Sequence, residues 1–291
     1  MSYAYYPGCS LHSTGLEFGL STRATFDHLG LALHEIPDWN CCGASSAHAL
    51  EPELAHALPA RNLAQAQQVG GDLVVPCAAC YSRLKGADHL MRSDPAARRA
   101  IEETVGFEYT GKVGIRPVMA VLHDDVGLER LAAEVRRPLH GLKVVTYYGC
   151  LLVRPPQIAQ FDDPDDPQVM AALLRTLGAE VRPWSHSTDC CGAGLSLSRS
   201  DVVYGLVGRL AERAREAGAE ALVTACPLCQ VNLEMRQAGR PRMPAFYITE
   251  LLGLAFDLPQ ARAWWPKHLI DPRPLLRALG LLEALAPQAA A

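Results

Sequence analysis

Apolar residues come in short runs separated by longer amphipathic stretches. Segments 3–6, 31–36 and 73–75, and again 144–148, 180–184 and 222–224, are short and rich in β-branched and aromatic residues, which predicts strands. Segments 61–69 and 206–217 carry a helical period and each ends at glycine, at Gly70-Gly71 and at Gly218, as a helix C-terminus does. A further strand is predicted at 118–122 and another at 245–248, each directly after a proline, Pro117 and Pro244. Strands alternating with helices predict an α/β fold of βαβ units with a parallel sheet.

The pattern occurs twice. Cysteines stand at 9, 41, 42, 77 and 80, and again at 150, 190, 191, 226 and 229, so that a single Cys, a Cys-Cys-Gly and a Cys-x-x-Cys recur in that order. Flanking residues recur too: Tyr5-Tyr6-Pro7-Gly8-Cys9 answers Tyr147-Tyr148-Gly149-Cys150, and Cys41-Cys42-Gly43-Ala44 answers Cys190-Cys191-Gly192-Ala193. The offset from Cys9 to Cys150 is 150 − 9 = 141 residues, longer than a solenoid or propeller unit. Two pseudo-symmetric domains are expected, residues 1–141 and 142–258, each a small parallel sheet flanked by helices, followed by a C-terminal extension at 259–291. Residues 160–168 read as an acidic loop, and the Ala-rich end of the extension as a tail.

Composition narrows the function. With 291 residues the chain can bury a sizeable core, and its net charge of −4 offers no electrostatic reason to bind nucleic acid or an anionic membrane. The sequence shows no signal-peptide pattern at its start and no uncharged apolar run long enough for a membrane span, so a cytoplasmic location is expected. In that compartment cysteines serve metal or redox chemistry, and a disulfide scaffold would require a small secreted domain.

In an open α/β sheet, ligands gather at the carboxyl ends of the strands. Cys9, Cys77, Cys150 and Cys226 each follow a predicted strand closely, which places a metal site at that rim in each domain. The Cys-x-x-Cys pairs open predicted helices at 77–91 and 226–237, whose N-termini favour thiolates. Adjacent cysteines in a regular strand point to opposite faces, so Cys41-Cys42 and Cys190-Cys191 require an irregular turn, which Gly43 and Gly192 allow. Five sulfurs exceed the four that structural zinc or a cubane cluster takes. The fifth either bridges irons in a cluster of another shape or remains a free thiol. Zinc in both sites, zinc in one site beside a cluster in the other, and a pair of redox dithiols are the alternatives. His12 and His186 are candidate proton donors near the two sites. Trp39 and Asp189 read as packing and turn residues. Gly192-Ala193-Gly194 lacks a third glycine, with Leu197 in its place, so no dinucleotide fingerprint is present.

This ten-cysteine pattern, intact in both copies, resembles the duplicated CCG domain of the HdrB-type subunit of heterodisulfide reductase and its bacterial relatives, including a sulfur-oxidising branch. The resemblance implies that Cys9, Cys41, Cys42, Cys77 and Cys80 hold one noncubane 4Fe-4S cluster. It implies that Cys150, Cys190, Cys191, Cys226 and Cys229 hold a second, the two facing a cleft between the halves. It also implies an oxidoreductase subunit acting on a disulfide or on lipoate-bound sulfur. The partners expected are a ferredoxin-like subunit of the HdrC type and a flavoprotein of the HdrA type. An electron-transfer or scaffold subunit without a substrate of its own is the alternative.

Overall fold

A computed structural model describes residues 1–44, 47–238 and 241–282. It contains two four-stranded sheets, all parallel. The first comprises β1 (Ser2–Tyr5), β2 (Ala32–Glu35), β3 (Leu73–Val75) and β4 (Ile115–Pro117) in the order β2-β1-β3-β4. The second comprises β5 (Lys143–Tyr147), β6 (Glu180–Val181), β7 (Ala221–Thr224) and β8 (Ala245–Tyr247) in the order β6-β5-β7-β8. The two orders are the same. The central strands β3 and β7 are buried along their length, which is why they read as unbroken apolar runs, while β2 at the edge is largely exposed.

Helices cover the sheets. Pro52–Val69 begins well before the expected helix and runs through Pro59, a residue that normally breaks one. The helix Ala78–Ser93 starts immediately after Cys77 and Pro227–Met235 immediately after Cys226, as the motif spacing predicted. One expectation fails. Residues 118–122 are not a strand: β4 ends at Pro117, and the chain turns helical over Val118–Ala120 and Val121–Val126. Proline cannot donate to a sheet ladder, so Pro117 is tolerated at the end of an edge strand. The following residues are buried by the second half on sides that a strand would have left open, so their continuous apolarity carries no period.

The halves pack through equivalent elements. Leu16–His28 of the first lies against Ile248–Ala255 of the second, while Val169–Thr176 of the second lies against Val118–Ala120 and Leu128–Glu134 of the first. At the former contact Ser21 and Thr249 hydroxyls are 2.7 Å apart, and Phe18 stacks on Tyr247 with ring centroids 4.3 Å apart. One hydrophobic core is continuous through both halves. The extension folds back onto it. Trp264 and Trp265 are fully buried, and Leu276 of the helix Arg273–Ala278 is buried with them. Residues 283–291, where the tail was expected, lie outside the described residues. The acidic loop is ordered by Asp162, whose carboxylate accepts from the Tyr148 hydroxyl and from the Val169 N–H, both at 2.8 Å. No helix among the described residues is long and apolar enough to cross a membrane.

Candidate metal centres

In each sheet the strand order reverses between the two central strands, since β1 is followed by β2 on one side and then by β3 on the other, all running parallel. Such a switch point opens a crevice at the carboxyl ends of the strands. Cys9 follows β1 and Cys77 follows β3, so they flank that crevice; Cys150 after β5 and Cys226 after β7 do the same in the second half.

The Cys-Cys-Gly loops then reach in. Tyr6 donates to the carbonyl of Asn40 at 2.8 Å and Tyr147 to the carbonyl of Asp189 at 2.7 Å. Each tyrosine thus fixes the residue just before the paired cysteines. Asn62, fully buried, grips Asn40 further, accepting its N–H and donating to its carbonyl, both at 2.9 Å. Gly43 and Gly192 adopt φ of 73° and 78°, the left-handed region that reverses the chain. Their N–H groups point at Cys41 and Cys190 sulfurs, 3.5 and 3.3 Å away.

The sulfurs meet in matching pairs. Cys42 and Cys80 are 3.3 Å apart, Cys191 and Cys229 3.4 Å, and Cys9 and Cys41 3.7 Å. Cys150 and Cys190 stand near enough for each to shift the other's acidity. Gly8 and Gly149, at positive φ, pass beneath the sulfurs: a Cβ on Gly8 would lie 2.8 Å from the Cys80 sulfur, and one on Gly149 3.1 Å from that of Cys229. None of the ten cysteines is in a disulfide. Among the described residues no three or more His, Cys, Asp or Glu converge as a ready-made site for one metal ion.

Each set has a buried floor and an open lip. Cys42, Cys77 and Cys80 are buried, as are Cys191, Cys226 and Cys229, whereas Cys9, Cys41 and Cys190 are exposed and Cys150 half-buried. The floors lie near each other across the boundary between the halves, close enough that Cys226 raises the Cys77 thiol and Cys77 helps to lower that of Cys226. Acidity alternates within each set. Hydrogen bonds from Cys42 and Cys9 pull the Cys41 thiol down to about 2, and one from Cys150 pulls Cys190 down to about 6. Their donors are held as thiols, with Cys9 and Cys150 pushed well up by those same bonds. Such sulfur clustering gives a redox-active, soft-metal donor set.

The two histidine candidates sit beside these lips but bond to neither set. His12 packs on Trp39 with ring centroids 5.3 Å apart and lies 3.9 Å from Glu35; His186 packs near Trp184 at 5.9 Å and lies 4.0 Å from Asp189. The structure therefore gives Trp39 and Trp184 a place at the sites as well as a packing role. Two features were missed in the sequence. The tyrosine equivalence is Tyr6 with Tyr147, one position off the pairing that the double tyrosines suggest, and counting back three residues from each single cysteine would have found it. Arg83, one helical turn beyond Cys80, carried no motif to mark it.

A family described as the cysteine-rich (CCG) domain matches residues 3–85 and 144–234. The chain is similar to the 8-methylmenaquinol:fumarate reductase membrane anchor subunit of Wolinella succinogenes, 30% identical over 92% of this chain and 97% of that protein. It is also similar to a protein of Archaeoglobus profundus that is like the B-type subunit of heterodisulfide reductase, 29% identical over 87% and 90% of the two chains. A third relative is the B-type subunit of the ferredoxin/F(420)H(2)-dependent CoB-CoM heterodisulfide reductase of Methanosarcina acetivorans, 26% identical over 86% and 87%. Among solved structures, a hypothetical protein from Helicobacter pylori matches the fold with a TM-score of 0.72 at 12% identity. That match takes in 93% of this chain and about half, 52%, of that one.

Proposed function

The chain belongs to the cysteine-rich CCG-domain family, in duplicate, and from that premise we propose that it is an iron–sulfur oxidoreductase subunit acting on a thiol/disulfide substrate. The observation that carries this reading is the shape of the two sulfur sets, each with a buried floor and a lip open to solvent, with Cys77 and Cys226 of the two floors near enough to shift each other's acidity. An all-sulfur donor set fits iron–sulfur ligation, and the close sulfur pairs over a glycine cradle leave each set gathered on one rim. Cys9, Cys41, Cys42, Cys77 and Cys80 would hold one noncubane 4Fe-4S cluster, and Cys150, Cys190, Cys191, Cys226 and Cys229 the other. When bound, two such clusters supply one electron each, matching the two electrons and two protons that convert a disulfide into two thiols.

The protein's own residues do the rest. The buried floors exclude water from one side, and the exposed lips admit a substrate the size of a thiol. Trp39 with His12 and Trp184 with His186 wall the two lips, where each histidine can hold a proton for a departing thiolate. Electrons would arrive from a ferredoxin-like subunit and a flavoprotein, since the chain carries no nucleotide-binding fingerprint.

The relative that is a fumarate reductase subunit favours a second reading, an electron relay within a quinol-linked complex. One set of measurements separates them. Anaerobically purified protein should contain about eight irons with matching sulfide and reduce a disulfide from a viologen donor while remaining inert with NADH. Stoichiometric zinc without sulfide would defeat the cluster assignment, and full clusters that reduce no disulfide would favour the relay.

A further inference from the structure

The two halves finish their sheets differently. In a parallel ladder alternate residues face the neighbouring strand, and those between turn their backbone groups away from it. The Leu73 N–H donates to the Gly114 carbonyl and the Leu222 N–H to the Pro244 carbonyl, which fixes the alternation on the edge strands β4 and β8. Val113 and Ile115 therefore turn their N–H and C=O groups to the open edge of the first sheet, and Met243 and Ala245 do so in the second. The second half closes that edge itself. Gln237, buried, accepts from the Met243 N–H at 2.9 Å and donates to the Met243 carbonyl at 2.6 Å, as a neighbouring strand would. Gln230 donates to the Ala245 carbonyl at 2.6 Å.

The first half leaves its edge open. Counting from the second cysteine of each Cys-x-x-Cys, Asp88 stands where Gln237 does and Tyr81 where Gln230 does. A carboxylate has no proton to donate, and that of Asp88 is engaged already, accepting from the Tyr109 hydroxyl at 2.5 Å and from Arg92 Nε at 2.7 Å. Tyr81 donates across to the Ala159 carbonyl. Among the described residues nothing bonds to the outward groups of Val113 and Ile115. They border a cavity of about 340 Å³ whose other wall carries Lys85, His89 and Arg92. An unpaired strand edge of this kind is a template for one more strand.

Charge indicates what that strand carries. Five residues after the second cysteine stands Glu234 in one half and Lys85 in the other. Glu234 holds the C-terminal extension, accepting from the Leu269 N–H at 2.6 Å and lying 2.8 Å from His268 Nδ1. Lys85, half-buried, forms no ion pair among the described residues and meets the Gln160 side chain at 3.2 Å. Arg92 offsets Asp88, so Lys85 sets the sign of the cavity. The second half is thus completed by a segment of its own chain held on an acid, and the first offers the same place with the charge reversed.

We propose that this edge docks an extended acidic segment of a partner protein, which pairs its backbone with Val113 and Ile115 and sets a carboxylate on Lys85.

The competing occupant is the same edge of a second copy. Intact, anaerobically purified protein is titrated by fluorescence anisotropy with a labelled hexapeptide of alternating glutamate and valine, and with its lysine–valine counterpart. Hydrogen exchange over residues 110–117 is followed by mass spectrometry. The acidic peptide should bind about tenfold or more tightly than the basic one and slow exchange over that segment, and Lys85→Glu should remove the preference. Val113→Pro deletes an outward N–H that an edge strand can spare, and should weaken binding of the acidic peptide by about tenfold. Where that variant does not fold, Lys85→Glu, a change at the surface of a helix, decides alone. No binding at millimolar peptide, binding without protection of 110–117, or equal binding by wild type and Lys85→Glu would overturn the proposal. So would a dimer of the peptide-free protein, seen by sedimentation, that Val113→Pro dissociates, since the edge would then belong to a second copy.

Discussion

The glycine before each single cysteine has no room for a side chain. At Gly8 a Cβ would stand 2.8 Å from the Cys80 sulfur on a backbone at φ 70°, whereas at Gly149 the gap is 3.1 Å at φ 64°. Gly8→Ala should therefore lower iron content at the first site by more than Gly149→Ala does at the second, which iron and sulfide analysis of the two variants would measure. His268 makes a second prediction. It is buried between Glu234 and Glu250, 2.8 Å from each. Burial pulls its pKa down, but the two carboxylates outweigh this and lift it to about 11, while burial raises Glu17 nearby to about 7. Both groups bind protons more tightly in the folded state, so both contributions to stability decline as pH rises. The Glu17 contribution is complete below the ordinary glutamate range and is lost as pH climbs to about 7. That of His268 is complete below about 6.5 and is lost on the way to about 11. Urea midpoints across pH should flatten in the alkaline range for His268→Gln and between pH 4.5 and 7 for Glu17→Gln; unchanged profiles would mean these groups titrate alike in both states.

Among the elements, the helix Ile248–Ala255 is the most constrained, with every residue buried between the first half, the second sheet and the extension. Gly253 shows what the extension contributes. A Cβ there would lie 2.5 Å from the ring of Trp264, which is itself fully buried and cannot swing away. Alanine would gain about 1 kcal/mol in helix propensity, but overpacking a closed core costs about 1–3 kcal/mol. The clash should win, and Gly253→Ala should lower the urea midpoint; a rise would show that the Trp264-Trp265 segment is loosely docked. The loop elements carry a smaller but local effect. Tyr6→Phe removes a half-buried hydrogen bond worth about 1 kcal/mol, and the loss should be felt at Cys41-Cys42 rather than across the fold.

For the whole molecule the feature that matters is that the two sulfur sets approach each other across the boundary between the halves, at Cys77 and Cys226. Cys42→Ser and Cys191→Ser should each remove about half the iron, since each loses one member of a close sulfur pair in a single set. Both should abolish disulfide reduction, because neither half completes a two-electron step alone. Turnover surviving in a variant shown to have lost one set would reduce that set to a storage or relay role.

The sequence by itself determined the duplication, the parallel α/β architecture and the ten sulfurs, because these rest on local signals: strand-length apolar runs, helix starts at Cys-x-x-Cys, and glycines where the chain must reverse. Seven of the eight strands can be read this way. The eighth, β4, could not, since the continuous apolar run at 118–122 that follows it is buried on every side and reads like a strand. Only tertiary structure decided which sulfurs pair, which lie open, that Trp39 and Trp184 stand at the lips, and that Arg83 bonds to His48. Those facts depend on how two helix-covered sheets lean on each other, and spacing along a chain carries no record of contacts made across such a boundary.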